Sequence, residues 1–331
     1  MKRQAGVALL TVLLVLSIMV TIAAGMTNRS YLSLRRTVNL NHQEQAYWYA
    51  MSSEALAKRV LKQDFADADG TTHLQQFWAT ADVVYPVDYG TIGGTISDLR
   101  SCFNVNALSQ GLTDEERQQD PYQQPLPAKQ LIAMLEAYEI DSYTAELVAD
   151  RLRDFVDSDN DGSGSYGAES PEYQARPFPY QAPNQLMQHH SELRAVLGAS
   201  ATLYQFLQDR ICAIPGEDSQ LLNVNTLDPQ YPQLLVGMLE GRLSNEEAQD
   251  VLNARPADGW ESSEDFWAEG PLQRLSDLSS KTKSTLVVDS NYFRLRGGAQ
   301  SDTAVFRLES IFRRGDGDKL TVISRQFGGQ Q

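Results

Sequence analysis

The densest run of metal-ligating side chains lies between Asp154 and Glu169, which reads Asp-Phe-Val-Asp-Ser-Asp-Asn-Asp-Gly-Ser-Gly-Ser-Tyr-Gly-Ala-Glu. Asp157, Asp159 and Asp161 alternate and Gly162 follows. That is the opening of an EF-hand loop: hard oxygen donors at every second residue, then a glycine for the sharp turn. Carboxylates packed this closely repel one another unless a cation offsets them. The second half departs from the EF-hand. Counting from Asp157, the twelfth position is Ala168, and Glu169 comes one residue late. Pro171, Pro177, Pro179 and Pro183 argue against an exiting helix. The expected chemistry is calcium binding in another geometry, with Asp157, Asp159, Asp161 and Glu169 as ligands. Asn184 and Glu192 are further oxygen donors. The alternative is a solvated acidic loop.

Other chemistry is sparse. The four histidines are His42, His73, His189 and His190, with no pair at i, i+4, and no CxxC occurs, so a zinc site is poorly supported. His189 or His190 with Glu192 could serve an envelope hydrolase, but no Ser or Cys nucleophile motif accompanies them. Adjacent histidines on a polar stretch read as surface residues. The two cysteines, Cys102 and Cys212, predict one disulfide in an extracytoplasmic domain, the alternative being two buried thiols. The formal net charge of -15, with only 28 Lys and Arg, opposes binding to phosphate backbones, so no nucleic-acid partner is expected.

The elements that must position this loop begin in lipid. Val7 to Met26 holds no charge and no proline, and Lys2 and Arg3 precede it. A helix of that length spans roughly 30 Å of hydrocarbon, with the basic end on the cytoplasmic side. Three readings compete: a secretory signal peptide, for which the run is too long; a plain membrane anchor; and a prepilin-type leader cut between Gly6 and Val7. The third is preferred. It explains the short basic leader, the glycine before the apolar run, and helix-compatible sequence continuing to about Lys62. Tyr31, Leu34, Val38, Tyr47, Ala50, Leu56, Val60 and Leu61 recur mostly at helical steps, and Asp64 to Gly70 breaks the pattern.

Short β-branched stretches follow at 81–87 and 90–99. Candidate strands return at 285–288, 292–296, 303–312 and 320–324, with Gly297-Gly298 and Gly315-Asp316-Gly317-Asp318 read as turns. Between them the chain reads as helix and loop, with a capping box at Ser244 and Glu247. An internal echo pairs Phe103-Asn104-Val105-Asn106 with Leu222-Asn223-Val224-Asn225, each followed by a helical segment containing Met-Leu-Glu. The asparagines are expected to hold turns. The predicted class is α+β: a long N-terminal helix and small antiparallel sheet with a large inserted α-helical domain. The predicted spans are 1–6 leader, 7–26 membrane half of the helix, 27–108 first part of the sheet domain, 109–282 insert, and 283–331 closing strands.

Taken in this order, Ala5-Gly6-Val7-Ala8-Leu9-Leu10, Phe103-Asn104-Val105-Asn106, Asp154 to Asp159 with Gly167-Ala168-Glu169, and Leu222-Asn223-Val224-Asn225-Thr226 resemble the type II secretion system minor pseudopilin K family over nearly the whole chain. The resemblance implies a pseudopilin fold whose inserted domain binds calcium. It implies cleavage after Gly6 and methylation of Val7 by prepilin peptidase, and a single-pass inner-membrane protein with a periplasmic head. It also implies a place at the pseudopilus tip with minor pseudopilins I and J, starting assembly and supporting export of folded proteins. Pilin-like proteins mostly carry glutamate at the fifth mature position, here Thr11; a subunit with no neighbour ahead of it has no use for that charge. The rival reading is a membrane-anchored periplasmic calcium-binding or adhesive protein that joins no fibre.

Overall fold

The computed structural model describes residues 5–68, 70–81, 83–120 and 123–328. Most of the leader, residues 1–4, lies outside the described residues, whereas Gly6 falls in the first turn of helix α1.

Helix α1 runs unbroken from Ala5 to Asp67, about 95 Å at 1.5 Å per residue. Its apolar run is exposed throughout, and the helix is long and apolar enough to cross a bilayer by length and composition. Burial begins only at Ala46 and then recurs at Ala50, Ser53, Ala57, Leu61 and Phe65, the period of one helical face. Tyr31, Leu34 and Val38 were expected on that face but stay exposed, because the rest of the chain does not reach so far down the helix. The helix also outlasts its expected break at Asp64. The Asp64 carboxylate accepts the N–H groups of Phe77 (3.3 Å) and Trp78 (2.7 Å), tying the chain that follows to the helix end.

Five antiparallel strands form the main sheet: β1 Val83–Val87, β2 Gly90–Asp98, β7 Tyr292–Ser301, β8 Ala304–Gly315 and β9 Lys319–Phe327, in the order β1-β2-β7-β8-β9. Gly297 and Gly298, expected in a turn, lie inside β7 opposite Gly94 and Gly93. The turn comes later, at Asp302 with φ +51°. Closeness explains these strand glycines. A Cβ on Gly297 would sit 2.9 Å from Ser53 Oγ, and one on Gly94 would sit 2.7 Å from Arg296 O. The small residues Ala50 and Ser53 therefore let α1 lie directly on the sheet backbone.

The chain leaves the sheet at Asp98 and rejoins it at Tyr292. Between these points come α2 Asp114–Gln119, α3 Leu126–Ala137, α4 Ser142–Val156, α5 Ser170–Gln174, α6 Ala201–Leu207, α7 Gln233–Met238 and α8 Asn245–Asn253. Two short parallel pairs brace the insert. Strand β3 (Phe103–Asn104) pairs with β4 (Ile211–Cys212), and β5 (Leu222–Asn223) with β6 (Leu286–Val287). The expected 109–282 span therefore starts late and stops early, and two-residue strands have no periodicity to betray them.

The echo is structural. Asn106 donates Nδ2 to Met187 O and Ile214 O and accepts the Met187 N–H, while Asn225 donates to Trp260 O and Val288 O and accepts the Trp260 N–H. Asn104 and Asn223 each accept the N–H two residues on. Each half thus closes a parallel strand pair with the same two asparagines. The predicted single helices are broken by positive φ, at Glu139 in the first half and at Glu240 and Gly241 in the second. Helices α3 and α7 meet at Gly237, where a Cβ would lie 2.5 Å from Met134 Cβ.

Candidate metal centre

The helix α4 is amphipathic, capped by Asp141, whose side chain accepts the Thr144 N–H at 3.0 Å. It presents Asp150, Asp154 and, at its C-cap, Asp157 along one side. Asp150 and Asp154 are fully buried, and both are spent on backbone. Asp154 accepts Ser163 N–H (2.8 Å) and Ala168 N–H (2.6 Å). Asp150 accepts Ser165 N–H (3.0 Å), Tyr166 N–H (3.1 Å) and the Gln124 amide (2.9 Å). Together they hold the 163–168 loop against the helix. Burial raises the Asp154 carboxyl despite these bonds. The sequence reading did not assign this pair a role; their i, i+4 spacing on the helix entering the loop was the available signal.

Turning this loop falls to glycines other than the expected Gly162, which has open space around its would-be Cβ. Gly164 adopts φ +58°, and a Cβ on Gly167 would lie 2.5 Å from Ser163 O. The prolines do not forbid an exit helix either: Pro171 sits in the first turn of α5, where its missing N–H is harmless.

Of the four expected ligands, Asp157, Asp159 and Glu169 bring one carboxylate oxygen each to within 4.8 Å of one another. Asp161 is not in that group; its N–H donates to Asp159 Oδ1 at 2.9 Å, shaping the turn. Asn184, at φ +45°, joins from the far side and donates Nδ2 to Asp159 O and, at 3.2 Å, to Asn160 Oδ1. Glu192 is engaged elsewhere, accepting the N–H groups of Gln188 (2.7 Å) and His189 (3.0 Å).

Asp157 Oδ1, both Glu169 carboxylate oxygens and Asn184 Oδ1 are enclosed without a hydrogen-bond partner among the described residues. Burial, then repulsion from Asp159, Asp154 and Glu169, pushes the Asp157 carboxyl up to about 7, and burial with Asp154 raises Glu169. Orphaned, mutually repelling oxygens of this kind fit a hard divalent cation of calcium's preferences. A proton or a water bridge would satisfy only part of the set.

The remaining singled-out residues have structural roles. Cys102 and Cys212 are joined, with S–S 2.12 Å and Cα–Cα 5.8 Å. His189 caps the 3₁₀ segment His190–Ala195 through its Nδ1, and burial presses the neighbouring His190 down to about 4, keeping it neutral.

Two models of type II secretion system protein K match the chain, one over residues 101–216 and the other over 222–289. The chain belongs to the type II secretion system protein K family. The boundaries of the two matches coincide with the two halves bounded by β3–β4 and β5–β6. The chain is similar to the type II secretion system protein K of Aeromonas hydrophila, 42% identical across 100% of this chain and 99% of the relative. That of Pectobacterium carotovorum is 36% identical over 99% and 98%. A chain from the crystal structure of the GspK-GspI-GspJ complex of enterotoxigenic Escherichia coli aligns with TM-score 0.77 and 34% identity, covering 89% of this chain and 100% of that one. The architecture is thus the pseudopilin fold with an inserted helical domain, and the family is a structural component of type II secretion. The apolar half of α1 suits a single-pass membrane anchor.

Proposed function

We propose that this chain is the minor pseudopilin that crowns the type II secretion pseudopilus, starting its assembly and supporting export of folded proteins across the outer membrane. The observation that carries this reading is the likeness to a chain of the GspK-GspI-GspJ complex. On that basis minor pseudopilins I and J are the partners, the head lies in the periplasm, and prepilin peptidase cuts between Gly6 and Val7.

Physical features agree with this reading. From Tyr31 to Leu40 the helix exposes Tyr31, Leu32, Leu34, Val38 and Leu40, beyond the length that lipid covers. Neighbouring helices in a fibre would bury them. Thr11 closes its hydroxyl on Ala8 O at 2.9 Å, so this position brings no charge into lipid and asks for no partner amine ahead of it. The bulky insert would block stacking above. Calcium, held by Asp157, Asp159, Glu169 and Asn184, stiffens that insert.

The test is N-terminal sequencing of the protein recovered from membranes, together with co-purification of candidate I and J subunits. A start at Val7 and a stable ternary complex are expected. An intact Met1 with no pilin-like companions would favour a plain anchored periplasmic protein.

A further inference from the structure

The first acidic residue of the chain is Glu44, and the stretch before it carries Arg29, Arg35 and Arg36 directly beyond the apolar run that ends at Met26. All three arginines are exposed, and no carboxylate of the described residues pairs with them. At 1.5 Å per residue, Arg29 stands about 4.5 Å and Tyr31 about 7.5 Å past Met26 along α1. The polar layer flanking the hydrocarbon of a bilayer is roughly 5–8 Å thick, so both residues fall within it. The backbone of Arg35 and Arg36 is higher, about 14–15 Å past Met26. Their side chains come back down. Every Cα–Cβ bond of an α-helix tilts toward its N-terminus, and the N-terminus of α1 is the end in lipid. Arg35 shows the result: its guanidinium lies over the Tyr31 ring, 4.9 Å from the centroid, one turn nearer the membrane. Tyrosine is itself favoured at that level. Arg29 and Arg36, seven residues apart, share the face of α1 opposite Leu34 and Val38. The basic face therefore does not compete with the apolar stripe that neighbouring helices would bury.

Charge is sorted along the whole molecule. Residues 99–291, the insert, hold 31 Asp and Glu against 13 Lys and Arg, a net charge of -18, while the remaining chain is +3. Residues 1–43 contain five Lys and Arg and no carboxylate side chain. An anionic surface attracts the lower end of such a molecule and repels the upper one.

We propose that Arg29, Arg35 and Arg36 form a collar that binds anionic phospholipid headgroups on the flank of the membrane nearest the head. A guanidinium fork takes phosphate oxygens in pairs, which suits this ligand. The Tyr31 ring holds Arg35 at headgroup height. The collar sets how deep the stalk sits, and repulsion between the same lipids and the insert keeps the head clear of the bilayer. Carboxylates of a partner subunit are the rival occupant. The downward aim of the side chains, toward lipid and away from the head, favours the headgroups.

The experiment reconstitutes the full chain in vesicles of equal parts phosphatidylcholine and phosphatidylglycerol, extracts it in mild detergent, and measures the co-purifying phospholipids by mass spectrometry. Every version carries Lys2→Gln and Arg3→Gln, so that cations at the other end of the span do not contribute. Phosphatidylglycerol is expected to be enriched at least about fivefold over phosphatidylcholine, and less so as salt rises. Arg29→Gln, Arg35→Gln and Arg36→Gln together should bring the ratio to about one, whereas Arg59→Gln with Lys62→Gln, higher on the same helix, should leave it unchanged. The melting temperature of the head should be the same in all versions, because these side chains are all exposed on α1. Equal retention of the two lipids would overturn the proposal, as would enrichment that survives in the triple variant. Enrichment lost equally in the Arg59 and Lys62 variant would reduce the effect to net charge and overturn it too. If the lipids are retained equally and the triple variant alone fails to co-purify with candidate I and J subunits, the arginines meet protein carboxylates instead, which is the rival reading.

Discussion

At the scale of single residues, two sets of carboxylates divide the labour around one loop. Asp150 and Asp154 accept backbone N–H groups; Asp157, Asp159 and Glu169 face one another and are the set we propose calcium bridges. Their mutants should therefore behave oppositely. Asp154→Asn should lower stability by about 1.5–3 kcal/mol whether calcium or a chelator is present, because a charge-assisted pair of bonds to buried amides is lost. Asp157→Asn with Asp159→Asn should abolish the gain in melting temperature on adding calcium, and should raise it slightly in chelator by relieving repulsion. Thermal melts of the four combinations check this, and parallel behaviour of the two variants would sink the distinction. The sequence showed the alternation of Asp157, Asp159 and Asp161 but could not show which carboxylates a backbone would claim. That depends on how 163–168 folds back on α4, a contact with no local pattern. For the same reason the sequence could not show that Asp161, expected as a ligand, lies outside the group of three while its backbone N–H closes the turn on Asp159 Oδ1.

At the scale of elements, α1 is fastened to the sheet through Glu54. Arg325 grips it with two bonds, Nε at 2.8 Å and Nη2 at 3.0 Å, while Ser310 donates at 2.8 Å and Lys58 at 3.1 Å. Burial opposes ionisation, but these partners win and lower the carboxyl from 4.5 to about 2. A carboxyl depressed in the folded state contributes stability above its unfolded pKa and loses it as pH falls through the folded one. Acid should therefore loosen the helix from the sheet between pH 4.5 and about 2, and Glu54→Gln should flatten that part of the stability profile measured by denaturant melts. In the insert, Gly237→Ala should cost about 1–3 kcal/mol, since its methyl would press on Met134 and Gln130 O where α3 crosses α7. Gly241→Ala, with only the Ala133 methyl nearby at 3.8 Å, should suffer chiefly from its φ of +74°. Urea titration of both separates crowding from backbone strain. Long elements were legible from residue types alone: the helix by its apolar length, the closing strands by alternation. The glycines of β7 were misread as a turn because closeness to Ser53 of α1 is a tertiary demand, invisible at 297 and 298 themselves.

At the scale of the whole molecule, the head is tied to the stalk where the chain crosses between them. The disulfide joins Cys102, just after the exit strand, to Cys212 across 110 residues. On the chain-entropy account a loop of that length is worth about 4–5 kcal/mol. Cys102→Ser with Cys212→Ser should lower the unfolding free energy by up to that amount, and the native protein denatured without reductant should resist alkylation at both sites. Beside the disulfide, fully buried Asp98 accepts Ser290 Oγ (2.5 Å), Thr226 Oγ1 (2.7 Å), Asn223 Nδ2 (3.0 Å) and Arg100 N–H (2.7 Å). One carboxylate thus joins the sheet, the second half of the insert and the returning chain.

Exit and return lie side by side, for Asp98 pairs with Phe293 across β2 and β7. The head could accordingly be excised and its stumps bridged by a tight hairpin, leaving an unadorned five-stranded subunit with its stalk. Seen that way the ornament is a plug-in module, and a decapitated version offers a way to ask whether the remaining body would stack like any other subunit once its roof is gone.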